Sequence, residues 1–250
     1  MKKVITLIVL LVAFLVVNLF SLSPSGITNL KKNPAFNTKG MGPRNWASGI
    51  QAYFDLSGGS FADIFRASAL GLLEVFEISK EFNIYFMGNI SNVVDNTEAT
   101  DLEAKIKEIQ QNSQGINLAF YPHYYKEFNS KVLQTLTIYF PLGWKLNALK
   151  DQNDTYQYLH QFNGMIGIEF GLLQGKFSKK FMTISFEGKL SKFSKKKYES
   201  IFGEQKSSMI SFEITGLVPI LNGCGILANY SNSKQTDSTF SLGIVIVNSR

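Results

Sequence analysis

The chain of 250 residues has one cysteine, Cys224, and two histidines, His123 and His160. A lone thiol excludes a disulfide framework and any cysteine-cluster metal site. The two imidazoles stand at no metal-ligand spacing and beside no activated serine, so both read as rim or loop residues. The one glycine-rich candidate for a phosphate loop, Ser57-Gly58-Gly59-Ser60, is followed by no Gly-Lys pair and reads as a turn. The chain is therefore expected to be no enzyme and to hold no metal or cofactor. Charge is also scarce, at 18% of residues. A mean hydropathy of +0.02 is too low for a bundle of membrane helices. No nucleic-acid recognition motif accompanies the lysines, and nucleic acid is not an expected partner.

What is plentiful is aromatic surface, with 21 Phe and 10 Tyr, and order along the chain. Met1-Lys2-Lys3 precedes an apolar run from Val4 to Leu22, interrupted only by Thr6, Asn18 and Ser21. That is the layout of an export signal, assigned to 1–25, with cleavage before Gly26 after Ser23-Pro24-Ser25. The run is also long enough for an uncleaved anchor. A polar extension covers 26–45, and 46–250 forms a single β-barrel domain. Two lysine clusters, Lys176, Lys179 and Lys180, then Lys189, Lys192, Lys195, Lys196 and Lys197, surround predicted turns. They read as solvated hairpin ends or as contacts with anionic lipid head groups.

From 46 onward apolar and polar residues alternate with period 2, the mark of strands with two unlike faces. In 181–190, Met182, Ile184, Phe186 and Leu190 oppose Thr183, Ser185, Glu187 and Lys189. In 207–216, Ile210, Phe212 and Ile214 oppose Ser211, Glu213 and Thr215, and 162–172 repeats the pattern around Glu169. Similar segments at 48–57, 67–78, 82–92, 115–124, 131–141, 222–231 and 238–247 make ten strands. Long connections (93–114, 142–161, 191–206) alternate with short ones (79–81, 125–130, 173–180). This is expected of an all-β, up-and-down antiparallel transmembrane barrel elaborated at one end. One short helix is predicted at 97–112, where Thr97 caps and Leu102, Ile106 and Ile109 recur at helical spacing.

Alternation alone leaves the wet face open. If the apolar face meets lipid, then Asp55, Glu74, Glu169, Glu187, Lys189 and Glu213 line a narrow interior that favours cations. If it turns inward, the chain is a secreted soluble barrel carrying an apolar ligand. Strands of about ten residues match a hydrocarbon crossing and favour the membrane. In 67–78, turning Ala69, Gly71, Leu73 and Val75 outward keeps Glu74 in the lumen and Glu77 at the rim. Trp46, Tyr124, Tyr125, Phe128, Trp144, Phe177 and Phe181 are placed near strand ends, as interfacial girdles require.

The signal at 1–25 and the ladder over 46–247 together resemble bacterial outer-membrane β-barrel proteins as a superfamily. Asn33-Pro34-Ala35 is similar to a tripeptide near the mature N-terminus of long-chain fatty-acid transporter-like barrels, although ten strands are fewer than those barrels have. The resemblance implies a place in the bacterial outer membrane, with the lipid bilayer as partner. It also implies a structural or narrow-pore role in which the passing molecule is unspecified.

Overall fold

The computed structural model describes residues 46–55, 64–79, 81–95, 115–130, 132–150, 155–174, 181–221, 224–233 and 236–249. The signal at 1–25, the extension at 26–45 and the helix expected at 97–112 lie outside the described residues. The strands are β1 (Trp46–Asp55), β2 (Ile64–Glu77), β3 (Phe82–Asp95), β4 (Gly115–Glu127), β5 (Leu133–Tyr139) and β6 (Leu142–Lys150). They continue as β7 (Tyr156–Gln174), β8 (Phe181–Phe193), β9 (Ser208–Leu221), β10 (Cys224–Ser233) and β11 (Thr236–Ser249). A helix, α1 (Lys195–Phe202), lies between β8 and β9.

Every pairing is antiparallel and, apart from β4 with β6 and β5 with β7, joins neighbours in the chain, while β1 pairs with β11 from Ala47↔Ser249 to Asp55↔Ser241. The sheet thus closes on itself. Both β5 and β6 lie between β4 and β7, so they are two halves of one stave and the barrel has ten staves. The break between them is Pro141, which has no N–H for the ladder. Around it Phe140 N donates to Pro122 O at 3.0 Å and Met165 N to Pro141 O at 2.9 Å, so pairing resumes on both sides. The inward alternation also runs through the break, from Thr137 and Tyr139 to Lys145, Asn147 and Leu149. The long connection expected at 142–161 is therefore a correction. Most of it is strand, and the true connection is 151–155.

One end of the barrel carries the connections 56–63, 96–114, 151–155, 194–207 and 234–235; the other carries 78–81, 128–132, 175–180 and 222–223. The first is the long-loop end. Its elaboration is concentrated in two connections rather than spread over all five.

The faces decide what solvent the wall is built for. Outward side chains such as Phe162 (62% exposed), Ile166 (58%) and Ile210 (63%) are apolar, while inward Gln161, Thr137 and Ser191 are fully buried. Phe186 and Phe212 also point out, between inward Ser185, Glu187 and Ser211. The soluble carrier needs these apolar residues inside, so the wall corrects that alternative. Among the described outward positions within strands no carboxylate occurs, and the charged residues are Lys126, Lys150 and Lys192. Apolar surface on this scale is stable only against hydrocarbon, and a closed ladder leaves no backbone edge unsatisfied there. No described helix is long and apolar enough to cross a membrane. The crossing is made by strands, and the fold is an up-and-down transmembrane β-barrel.

In β2 the sequence pattern conflicts with itself, and the backbone resolves it with a bulge. Glu74 pairs with Tyr85 but Phe76 pairs with Ile84, which leaves Val75 as an extra residue. A bulge shifts the side-chain alternation by one. Leu73 and Val75 are exposed before it, as expected, but Phe76 and Ile78 are exposed after it, where unbroken alternation would turn them inward.

Because Ile166 sits mid-strand on the outward face, Ile166→Arg should lower stability in detergent or vesicles by about 2–4 kcal/mol. Urea-titrated refolding read by the heat-modifiable band on gels measures it. An unchanged midpoint would mean that this face meets water.

Candidate functional site: the barrel interior and its helical cap

Alternation from β3 to β11 sends a polar set inward, and the barrel's curvature brings distant strands together around it. Glu169 on β7, Glu187 and Lys189 on β8 and Glu213 on β9 occupy adjacent staves; the first three are almost fully buried and Glu213 is half-buried. The β8–β9 register sets Glu187 directly opposite Glu213. Glu169 faces Glu187 and Glu187 faces Glu213 as like charges, while Lys189 interacts with both Glu187 and Glu213. Asp55 stands opposite Ser241 and Glu74 opposite Tyr85, and both partners are buried inward residues. The register therefore sets positions 55 and 74 in the inward rows.

Each group is held by neighbours that the barrel supplies. The Tyr139 hydroxyl donates to Glu187 Oε1 at 2.8 Å. It reaches across because Gly167, its register partner on β7, has no side chain. A Cβ at Gly167 would lie 2.1 Å from the Tyr139 ring. Asn229 donates to Glu213 Oε1, and Thr215 donates to the same oxygen at 3.3 Å. Glu169 Oε1 has no hydrogen-bond partner among the described residues.

Toward the long-loop end the interior turns to amides and hydroxyls around one buried lysine. Asn147 Nδ2 donates to Gln161 Oε1 at 3.0 Å, Gln161 Nε2 to Ser191 Oγ at 2.9 Å, and Ser191 Oγ to Asn163 Oδ1 at 2.8 Å. Lys145, fully buried, stands opposite Gln161 in register. On the adjoining staves, nearer the short-turn end, the wall is aromatic. Tyr121 stacks on Tyr139 at 5.4 Å between ring centroids, and His123 lies 4.9 Å from Tyr85.

Above the amide network α1 covers the mouth of the barrel between β6 and β9. Its Tyr198, Ile201 and Phe202 pack on Leu149, Leu159, Phe193 and Met209, all inward residues at the long-loop end. The spacing i, i+3, i+4 places the three on one helix face. Gly203 ends the helix in the left-handed region (φ 75°), with its N–H bonded to Glu199 O at 2.8 Å. Burial, and then the charge of Glu204, push the Tyr198 phenol up to about 12, so it is neutral wherever the seal operates.

Several expectations need correction. His123 is not a rim residue; it is buried in the barrel wall, on the inward face of β4. Tyr125 also turns inward and is buried, leaving Tyr124 as the outward member of that pair. His160 lies on the outward face of β7 and accepts a hydrogen bond from Trp144 Nε1 at 3.3 Å. Trp144 itself is within β6, not beyond a strand end. The second lysine cluster is not one patch, since Lys189 points into the barrel, Lys192 outward, and Lys195 to Lys197 form the exposed first turn of α1. Lys145, Asn147 and the cap itself escaped the sequence pattern. Among the described residues no group of three metal-ligating side chains occurs.

Several solved barrels have a similar chain path. The NanC porin is similar over 81% of this chain and 99% of its own, at 8% identity and a TM-score of 0.40. The KdgM porin is similar over 80% and 98%, at 8% identity and 0.39. An outer membrane channel from Pseudomonas putida F1 follows at 84% and 98%, 9% identity and 0.38. No protein-family model matches the sequence, and no curated protein does. The membrane character of this barrel follows from its own closed ladder and outward face.

Filling the space over Gly167 tests the Tyr139 latch. Gly167→Val should displace the ring and lower the unfolding midpoint by an amount corresponding to about 1–3 kcal/mol. Tyr139→Phe, which keeps the ring and loses the bond to Glu187, should cost less. Equal losses in the two variants, measured by denaturant titration, would mean that packing contributes nothing beyond the hydrogen bond.

Proposed function

We propose that this protein is a bacterial outer-membrane barrel providing a narrow, normally closed pathway for small cations, sealed at the long-loop end by α1. The observation that carries the reading is a polar interior, acid-rich at mid-barrel and lined by amides above, that lies beneath an apolar helical cap. A purely structural barrel has no need of carboxylates inside, since buried like charges cost stability unless something compensates them. Along the inward rows Asp55, Glu74, Glu169, Glu187 and Glu213 outnumber Arg66, Lys145 and Lys189. An acidic interior attracts cations and repels anions. Ten staves enclose a space that side chains nearly fill, which limits passage to small solutes. The neighbouring barrels that are described as porins and as an outer membrane channel are compatible with transport. No step of the reading requires catalysis.

Planar-bilayer recordings test it. The full chain should be nearly silent, and a variant with 195–202 replaced by a flexible Gly/Ser segment should conduct, with reversal potentials that report cation preference. Glu187→Gln combined with Glu213→Gln should weaken that preference in the opened variant. Silence in the opened variant, or anion preference, would leave the barrel a structural role only.

A further inference from the structure

On the outer wall, between β3 and β8, lies a groove of about 680 Å³ lined by Phe86, Phe120, Leu142, Trp144, Phe162 and Leu190, with Lys192 at its margin. The registers explain its shape. One outward row runs Phe86, Phe120, Leu142, Gly164, Leu190 across neighbouring staves. The next row toward the long-loop end runs Leu118, Trp144, Phe162, Lys192. Gly164 contributes no side chain to the first row, so the wall is indented between Leu142 and Leu190. The groove is thus an apolar trough with one cation on the side nearer the long loops.

Lys192 is exposed on the lipid-facing side, where a lone charge is costly away from the interface. Tyr156 and Tyr158, both exposed and outward, lie closer to the long-loop end on the paired strand β7, as an interfacial belt does. The lysine stem can extend toward that belt while its ammonium meets an anion there.

We propose that this groove holds one anionic phospholipid, its acyl chain in the trough and its phosphate on Lys192. The site depends on the membrane reading given above. Charge complementarity selects the occupant: the trough offers a zwitterionic lipid the same apolar contacts, and only Lys192 distinguishes the two by net charge.

Native mass spectrometry of the full-length barrel in detergent, with equimolar phosphatidylglycerol and phosphatidylcholine added, tests the site. The wild type should retain phosphatidylglycerol about fivefold over phosphatidylcholine, the discrimination expected of one lysine near an anionic head group. Lys192→Gln should equalise the two. Gly164→Leu, which fills the trough, should reduce retention of both, and Leu190→Trp serves the same purpose should that variant not fold. Heat-modifiable migration reports folding of each. Equal retention by the wild type, or a preference that survives Lys192→Gln, would overturn the site while leaving the barrel intact. Recovery of the folded wild type without detergent would instead overturn the membrane reading.

Discussion

In hydrocarbon no water is present to take up a stray backbone donor or acceptor, and every other feature of this chain depends on meeting that constraint. The pairing of β1 with β11 meets it globally by removing both sheet edges. Locally the same demand explains how a proline is accommodated within a stave. Pro141 removes one donor, but Phe140 N and Pro141 O find partners on the two flanking strands, so the wall bends without opening. The bulge at Val75 works in the same way on β2. One residue leaves the register, and the strand continues with its faces exchanged.

Closing the wall creates an interior that must then be filled, and its chemistry is graded along the axis. From β6 to β9 the carboxylates Glu169, Glu187 and Glu213 lie at mid-barrel, amides and hydroxyls come next, and the apolar face of α1 covers the long-loop end. Buried charge is tolerable where partners are arranged beforehand. Tyr139 serves Glu187, Asn229 and Thr215 serve Glu213, and Lys189 lies among the acids. The Tyr139 arrangement depends on an absence, since only a glycine at 167 lets the ring lie across the sheet.

Which of these features can be read from sequence depends on whether they are local. Alternation in 162–172, 181–190 and 207–216 is local, so which residues share a face, Glu169, Glu187 and Glu213 among them, was legible there. Pro141 imitates a strand end, because a missing donor looks the same in sequence whether or not flanking strands compensate. As a result Lys145 and Asn147 were hidden in an apparent loop. Helix α1 has no local signature either: three lysines occupy its first turn, against the helix dipole, and Ser194 makes no side-chain cap bond. It forms because Tyr198, Ile201 and Phe202 find an apolar mouth to fill, and that mouth exists only once four staves have come together. Cross-barrel partners such as Tyr139 and Glu187, separated by 48 residues, are likewise products of closure.

The seal has a consequence for timing. Lifting α1 exposes Tyr198, Ile201 and Phe202, and at about 1.5–3 kcal/mol for each large apolar side chain the opened state lies roughly 5–9 kcal/mol above the closed one. Such a gap corresponds to an open fraction on the order of one part in several thousand to one in several million. With its ends attached to paired strands β8 and β9, the helix remains tethered at the mouth and recloses as a local refolding event. If the barrel conducts as proposed, its flux is regulated by its duty cycle rather than by its diameter, and a membrane can carry many copies with little leak.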